Sequence, residues 1–371
     1  MNDSVSPRPV RRKRKKSGVK VLLCILRRTL LVIFTLILMA AVGLAMVCNL
    51  IFNGPSTTAR DRLTMSMRES SGMKWFPALF IGEDTVAEIE KATSFELPDE
   101  LSDNSQIQID LNSSLGTNVD EWENHPDGIR IEEISGDTYH AYVMIVRDPS
   151  RVYLATSSDN FSTSTPGTRI NHQIETEGAS AAINAGAFLD DGTSGLHVGS
   201  VPEGLVISEG VVRWKSGQAP QQGFVGFNKD NILVVAQTMT ANKAMELNIR
   251  DGCCFGPVLI MNGTVNETAY NANSGLNPRT AIGQRADGAV IFVCIDGRQA
   301  SSMGGTYADL IDIMVEFGAV NACNLDGGSS TVMLYRDYNT GKVSMINSYS
   351  LLQEEPRRMP TFYMVRPMSE G

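Results

Sequence analysis

Between Ala289 and Leu325 the chain writes out an apolar run, an amphipathic stretch and a second apolar run. Ala289–Ile295 and Val320–Leu325 are short and largely apolar, so both read as buried strands. Tyr307–Phe317 places Leu310, Ile311, Met314 and Phe317 at helical spacing. Thr306 and Asp309 make a capping-box-like pair at its start, and Gly318 stops it. A strand–helix–strand unit calls for two parallel strands joined right-handedly, so both strands end on the same edge of the sheet. Asp296 follows the first strand directly and Asp326 the second.

The carboxyl ends of parallel strands are where ligands gather in such sheets, so the two carboxylates are expected at one crevice. Neighbouring strands lie about 4.8 Å apart, and about 9.6 Å apart with one strand between them. Both values suit a carboxylate pair flanking a glycosidic bond, for which separations run from roughly 5 to 9.5 Å. Gly327 and Gly328 allow a tight turn and close backbone approach to a ligand. The amides of Gly328, Ser329 and Ser330 offer an anion-binding nest, and Arg279 and Arg298 offer bidentate partners for a phosphate. The plainer alternative is a common turn signal after a strand, with arginine and aspartate forming structural ion pairs.

The flanking chain reads mostly as hairpins. Strands are expected at Tyr139–Val146 and Val152–Ala155 around Arg147-Asp148-Pro149-Ser150, at Gly204–Ile207 and Val211–Trp214, and at Phe224–Phe227 and Ile232–Ala236. Further strands are expected at Ala179–Ile183, Pro257–Met261, Thr280–Gln284 and Thr331–Tyr335. Asn248–Asp251 reads as a turn. The fold class that follows is α+β: a mixed, largely antiparallel β-sheet with hairpins, at least one βαβ crossover and flanking helices. Asn184 closes the Ala179–Ile183 strand and is a candidate for bonding a sugar hydroxyl; as a turn former it also has a purely structural use.

Location is written at the N-terminus. Ten basic residues and one acid occupy positions 1–28, and Thr29–Phe52 follows without a charge. As a helix, that run spans about 36 Å, enough to cross a bilayer. The basic flank predicts a cytoplasmic N-terminus and an extracytoplasmic remainder on a single-pass anchor; a cleaved signal peptide is the rival reading. The whole chain has 32 basic and 41 acidic side chains, net −9. The remainder beyond residue 28 therefore holds 22 basic and 40 acidic, net −18. So acidic a domain disfavours nucleic acid as a partner. The expected organisation is a basic tail at 1–28, a membrane helix at 29–52, a juxtamembrane segment at 53–90, a polar linker at 91–125 and a catalytic domain at 126–371.

Cys253, Cys254, Cys294 and Cys323 show no metal-binding spacing and read as small buried hydrophobes, with a Cys294–Cys323 bridge as the alternative. No histidine pair has ligand spacing, so no metal or other cofactor is expected. A divalent ion held by Asp296, Asp326 and Asn324 is the metal-dependent phosphoesterase alternative.

Five motifs in order carry a resemblance: Asn184-Ala185-Gly186-Ala187-Phe188, Pro202–Ile207, Asn277-Pro278-Arg279-Thr280, Asp296-Gly297-Arg298 and Asn324-Leu325-Asp326-Gly327-Gly328-Ser329-Ser330. Together they resemble the phosphodiester glycosidase family from about Ala179 onward. Ala185 and Ala187 stand where NGGFF-like members have Gly and Phe. The resemblance implies hydrolysis of a sugar-1-phosphodiester at the glycosidic carbon, with a glycan or sugar-phosphate substrate. It implies Asp326 as nucleophile or base and Asp296 as the second carboxylate. Substrate or phosphate contacts are expected from Asn184, Arg279, Thr280, Arg298, Asn324, Gly327, Gly328, Ser329 and Ser330. A non-catalytic protein that binds anionic glycan during exopolysaccharide assembly is the alternative of another class.

Overall fold

The computed structural model describes residues 18–70, 72–92, 101–109, 111, 122–189, 198–217, 221–348 and 355–368. The chain divides into two compact units, residues 1–56 and 57–371. The first is built on a single helix, Gly18–Asn53. Its apolar stretch, Leu22–Asn53, has a mean hydropathy of 2.9 over its most apolar window. That length and composition suit either a membrane anchor or a signal sequence.

The second unit is a mixed α/β body with three large antiparallel sheets and, among the described residues, a two-stranded one that pairs 168–169 with 358–359. A seven-stranded sheet runs in the order 129–135, 140–146, 290–295, 279–285, 319–325, 258–261, 264–265. A five-stranded sheet runs 211–215, 205–208, 249–254, 221–228, 233–239, and another 343–345, 333–336, 181–184, 361–365, 152–156. One core lies among the three. Ile282, Phe292, Cys323 and Leu325 of the large sheet meet Val225, Phe227 and Val235 of the second and Leu154, Ile183 and Tyr363 of the third. On the other face of the large sheet, Ala281, Ile291 and Val293 pack against Leu310, Ile311 and Met314 of the helix Tyr307–Glu316. A strand covered on both faces cannot alternate apolar with polar, so Val290–Ile295 is apolar throughout. The helix begins with the expected reciprocal capping box of Thr306 and Asp309.

The crossover takes the wider of its two expected forms. Val290–Ile295 and Ala319–Leu325 are both antiparallel to Arg279–Arg285, which lies between them. They are therefore parallel to each other and two strand spacings apart. Arg279 pairs with Ile295, and Thr280 with Leu325, so Asp296 and Asp326 both leave the sheet at the same edge.

Two local expectations need correction. Tyr139–Val146 and Val152–Ala155 do not form a hairpin. Pro149–Arg151 is a 3₁₀ turn capped by Asp148, and it redirects the chain from the large sheet to the third, where Val152–Thr156 pairs with Thr361–Val365. Pro149 lacks the N–H a ladder would need. Asn248–Asp251 is not a plain turn either; Ile249–Cys254 is the central strand of its sheet, with Asp251 buried. The hairpins at 205–215 and 221–239 form as expected. Cys253, Cys254, Cys294 and Cys323 are buried free thiols. Residues 101–109, expected within the linker, lie on the domain: Ser102 exchanges hydrogen bonds with Val235, and the Gln108 amide donates to the Ala286 carbonyl.

Candidate active site

Asp296 is held from both sides. Its amide donates to the His140 carbonyl at 2.9 Å, and its carbonyl accepts from Ser302 Oγ at 2.7 Å. Its carboxylate accepts from Asn347 Nδ2 at 3.2 Å and from the Ser348 amide at 3.1 Å. Burial pushes its pKa above the usual carboxylate range, opposed by those hydrogen bonds and by His140. Pro278, Arg298, Gly328, Ser329 and Thr331 complete a small cleft around it.

Arg298 adopts a left-handed backbone, φ 58°, and its Nη2 donates to Asn277 Oδ1 at 3.1 Å. It makes no ion pair among the described residues. Burial lowers its pKa, with Glu69 acting in the other direction, yet a guanidinium keeps its charge. The result is a solvent-exposed cation on the cleft wall, placed to meet an incoming anion. Gly328, with φ 60°, lies under this guanidinium; a Cβ there would stand 3.4 Å from Arg298 Nη1 and Nη2.

Arg279 stands elsewhere. It is buried, donating to the carbonyls of Gly275 at 2.8 Å and Gly305 at 3.2 Å, paired with Glu69 at 3.0 Å and stacked over Tyr307 at 4.1 Å. Its guanidinium is thus engaged within the fold, away from the residues that line the cleft. Two of the three amides of the expected nest are engaged within the fold. The Gly328 amide donates to the Pro278 carbonyl at 2.8 Å and the Ser330 amide to Gly327 at 3.0 Å, because Gly328–Ser330 closes a 3₁₀ turn.

Asn184 and Thr280 support the site from behind. Both are fully buried. Thr280 Oγ1 donates to Asn184 Oδ1 at 2.9 Å; Asn184 also accepts from the Val332 amide and donates to the Asp326 carbonyl. This network ties the third sheet to the turn that Asp326 opens. Asp326 itself is half-buried, its amide donating to Ala185 at 3.0 Å. Asn324 is buried and donates to the Gly256 carbonyl at 2.7 Å. Among the described residues no group of three or more His, Cys, Asp or Glu side chains is placed to hold a metal.

Four contributors lay outside the sequence expectations. Asn347 and Ser348 hold Asp296 but sit in a segment without a motif. Arg357 is buried, with its Nη1 3.2 Å from Ser329 Oγ and its guanidinium over Phe188 at 4.8 Å. Glu69 follows the helix Thr57–Arg68, and besides Arg279 it accepts from Asn277 Nδ2 at 2.7 Å. One glutamate therefore orients Asn277, which in turn holds Arg298.

Residues 177–366 match the model of the phosphodiester glycosidase family. The chain belongs to that family. The phosphodiester glycosidase match contains both aspartates and the whole cleft. The catalytic domain of zebrafish N-acetylglucosamine-1-phosphodiester alpha-N-acetylglucosaminidase, auto-inhibited by its pro-peptide, shares the fold: TM-score 0.51, 19% identity, over 65% of this chain and 82% of that one. An uncharacterized protein of the SPbeta prophage of Bacillus subtilis (strain 168), YomE, is 29% identical over 157 residues, 40% of this chain. The match spans 23% of that relative's length.

Proposed function

We propose that this family member hydrolyses a sugar-1-phosphodiester of the N-acetylglucosamine-1-phosphate type in envelope glycopolymers, releasing free sugar and a phosphomonoester. The observation that carries the reading is the cleft itself, where a buried carboxylate, Asp296, and a guanidinium with no ion-pair partner among the described residues, Arg298, face the turn opened by Asp326. Arg298 holds the phosphodiester and stabilises charge developing on the leaving oxygen. A phosphodiester is already a stable anion, so departure needs little protonation. Asp326 activates water or attacks the anomeric carbon, and Asp296 stabilises the oxocarbenium-like transition state. Asn347 and Ser348 fix the Asp296 carboxylate, and Glu69 fixes Arg298 through Asn277.

The same reading places the domain outside the membrane, on a single anchoring helix whose basic flank stays in the cytoplasm. Intact cells carrying the full chain are expected to release free sugar from an added N-acetylglucosamine-1-phosphodiester, chelator or not, and external protease should end that release. A sugar-1-phosphate product would sink the glycosidase reading, and release only after lysis would sink the topology.

A further inference from the structure

A second cavity, of about 560 Å³, falls within the usual size of ligand pockets. It lies at the other end of the large sheet. Ile295 pairs with Ala141, next to Asp296, whereas Val290 pairs with Val146, next to Arg147. Over a six-residue strand that is about 20 Å from the cleft.

Three arginines line this cavity with Trp122, His125 and a single carboxylate, Asp148. The Asp148 carboxylate accepts from the Ser150 amide at 2.9 Å. Arg151 is only 7% exposed. Its Nε donates to the Arg366 carbonyl at 2.8 Å and its Nη1 to the Asp127 carbonyl, while its Nη2 is buried without a hydrogen-bond partner. That nitrogen is closed to solvent, so a ligand entering the cavity meets Arg147 and Arg366 first, with Arg151 adding its charge from the wall behind them. Arg147 and Arg366 are exposed and make no ion pair among the described residues; Arg147 stands 5.9 Å from the Trp122 ring and Arg366 4.1 Å over Tyr153. Gly128 lies between Arg151 and Arg147. At φ 65°, a Cβ there would lie 3.4 Å from Arg151 Nη1 and 3.6 Å from Arg147 Cβ, so a side chain would fill the space between them.

Three guanidinium groups lining a cavity with one carboxylate, on a domain of net charge −18, make its wall locally cationic, although Arg147 also donates to the Leu111 carbonyl. We propose that this cavity is a second anion site, in which Arg147, Arg151 and Arg366 take a phosphate group on a soluble glycan or polyol chain and Trp122 lies against its carbon skeleton. Guanidinium forks match phosphate oxygens bidentately, and an aromatic ring offers a flat apolar face to the attached skeleton. The choice of phosphate over carboxylate rests on the proposed substrate class. A polymer held here would keep a further linkage near the cleft after each cleavage, raising its effective concentration there.

The test is binding of a short oligo(glycerol phosphate) to the full chain in non-ionic detergent. This probe has no glycosidic bond, so its binding is independent of the proposed hydrolysis. Arg151→Gln would also strip two carbonyl contacts, so the exposed pair is used: Arg147→Glu with Arg366→Glu. The double variant should weaken binding about tenfold or more at unchanged Tm, with unchanged hydrolysis of a short soluble substrate. Arg298→Gln should bind the oligomer nearly as the parent does, and inorganic phosphate should compete. Equal affinity for parent and double variant would overturn the proposal. So would a loss seen equally in Arg298→Gln, or preference for phosphatidylglycerol vesicles over the oligomer.

Discussion

Asp326→Asn and Asp296→Asn are each expected to lower kcat on a sugar-1-phosphodiester by about 10³-fold, within the range for removing a positioned acid, base or nucleophile. KM should change far less, because phosphate contacts lie on Arg298. The two variants should differ in stability. Burial raises the Asp296 pKa, so the native state binds its proton more tightly than the unfolded chain does. Its contribution to stability is therefore greatest below the unfolded carboxylate pKa and falls as pH rises through the native value. Asp296→Asn removes that loss and leaves an amide oxygen to accept from Ser348. Its Tm should match or exceed the parent's at pH 7, and the difference should shrink toward pH 3. Thermal unfolding across that range decides it; an Asp296→Asn protein less stable at pH 7 than at pH 3, relative to parent, would contradict the role of burial.

Arg279→Gln and Arg298→Gln are expected to fail in opposite ways. Arg279 is buried against Glu69, two carbonyls and Tyr307. Removing its charge strands Glu69 and empties those contacts, and breaking such a pair costs about 3–5 kcal/mol. Urea unfolding should show that loss for Arg279→Gln. Arg298 faces the cleft, and among the described residues its side chain makes one hydrogen bond, to Asn277. Arg298→Gln should cost under about 1 kcal/mol of stability and lower kcat/KM by about 10²-fold or more, as losing a charge-stabilising donor does. Equal stability losses would show that the two arginines have been assigned the wrong places.

How far the sequence revealed this site depends on distance along the chain. The strand–helix–strand unit was legible because helical spacing at Leu310, Ile311 and Met314 and two apolar runs are local signals. They were enough to bring Asp296 and Asp326 to one sheet edge. They did not reveal that Arg279–Arg285 lies between the two strands, since strand order depends on pairings remote in sequence. Arg279 and Arg298 looked alike in their motifs. What separates them is Glu69, 210 residues before Arg279, docked where a Cβ on Gly275 would meet the Ser66 amide at 2.3 Å. Asn184 carried a real signal at a strand end, but its burial follows from the third sheet packing on the first. The hairpin expected at Arg147–Ser150 failed because Pro149 and the Asp148 cap direct the chain into another sheet. Asn347 and Ser348 had no local mark at all; only the fold places them on Asp296.

Hydrolysis of a sugar-1-phosphodiester in ¹⁸O-water tests the central claim most directly. Attack at the anomeric carbon, with Arg298 holding the leaving phosphate, predicts the label in the released sugar and none in the phosphomonoester. Label in the phosphate would mean that water attacks phosphorus, and the roles given to Asp326, Asp296 and Arg298 would be wrong.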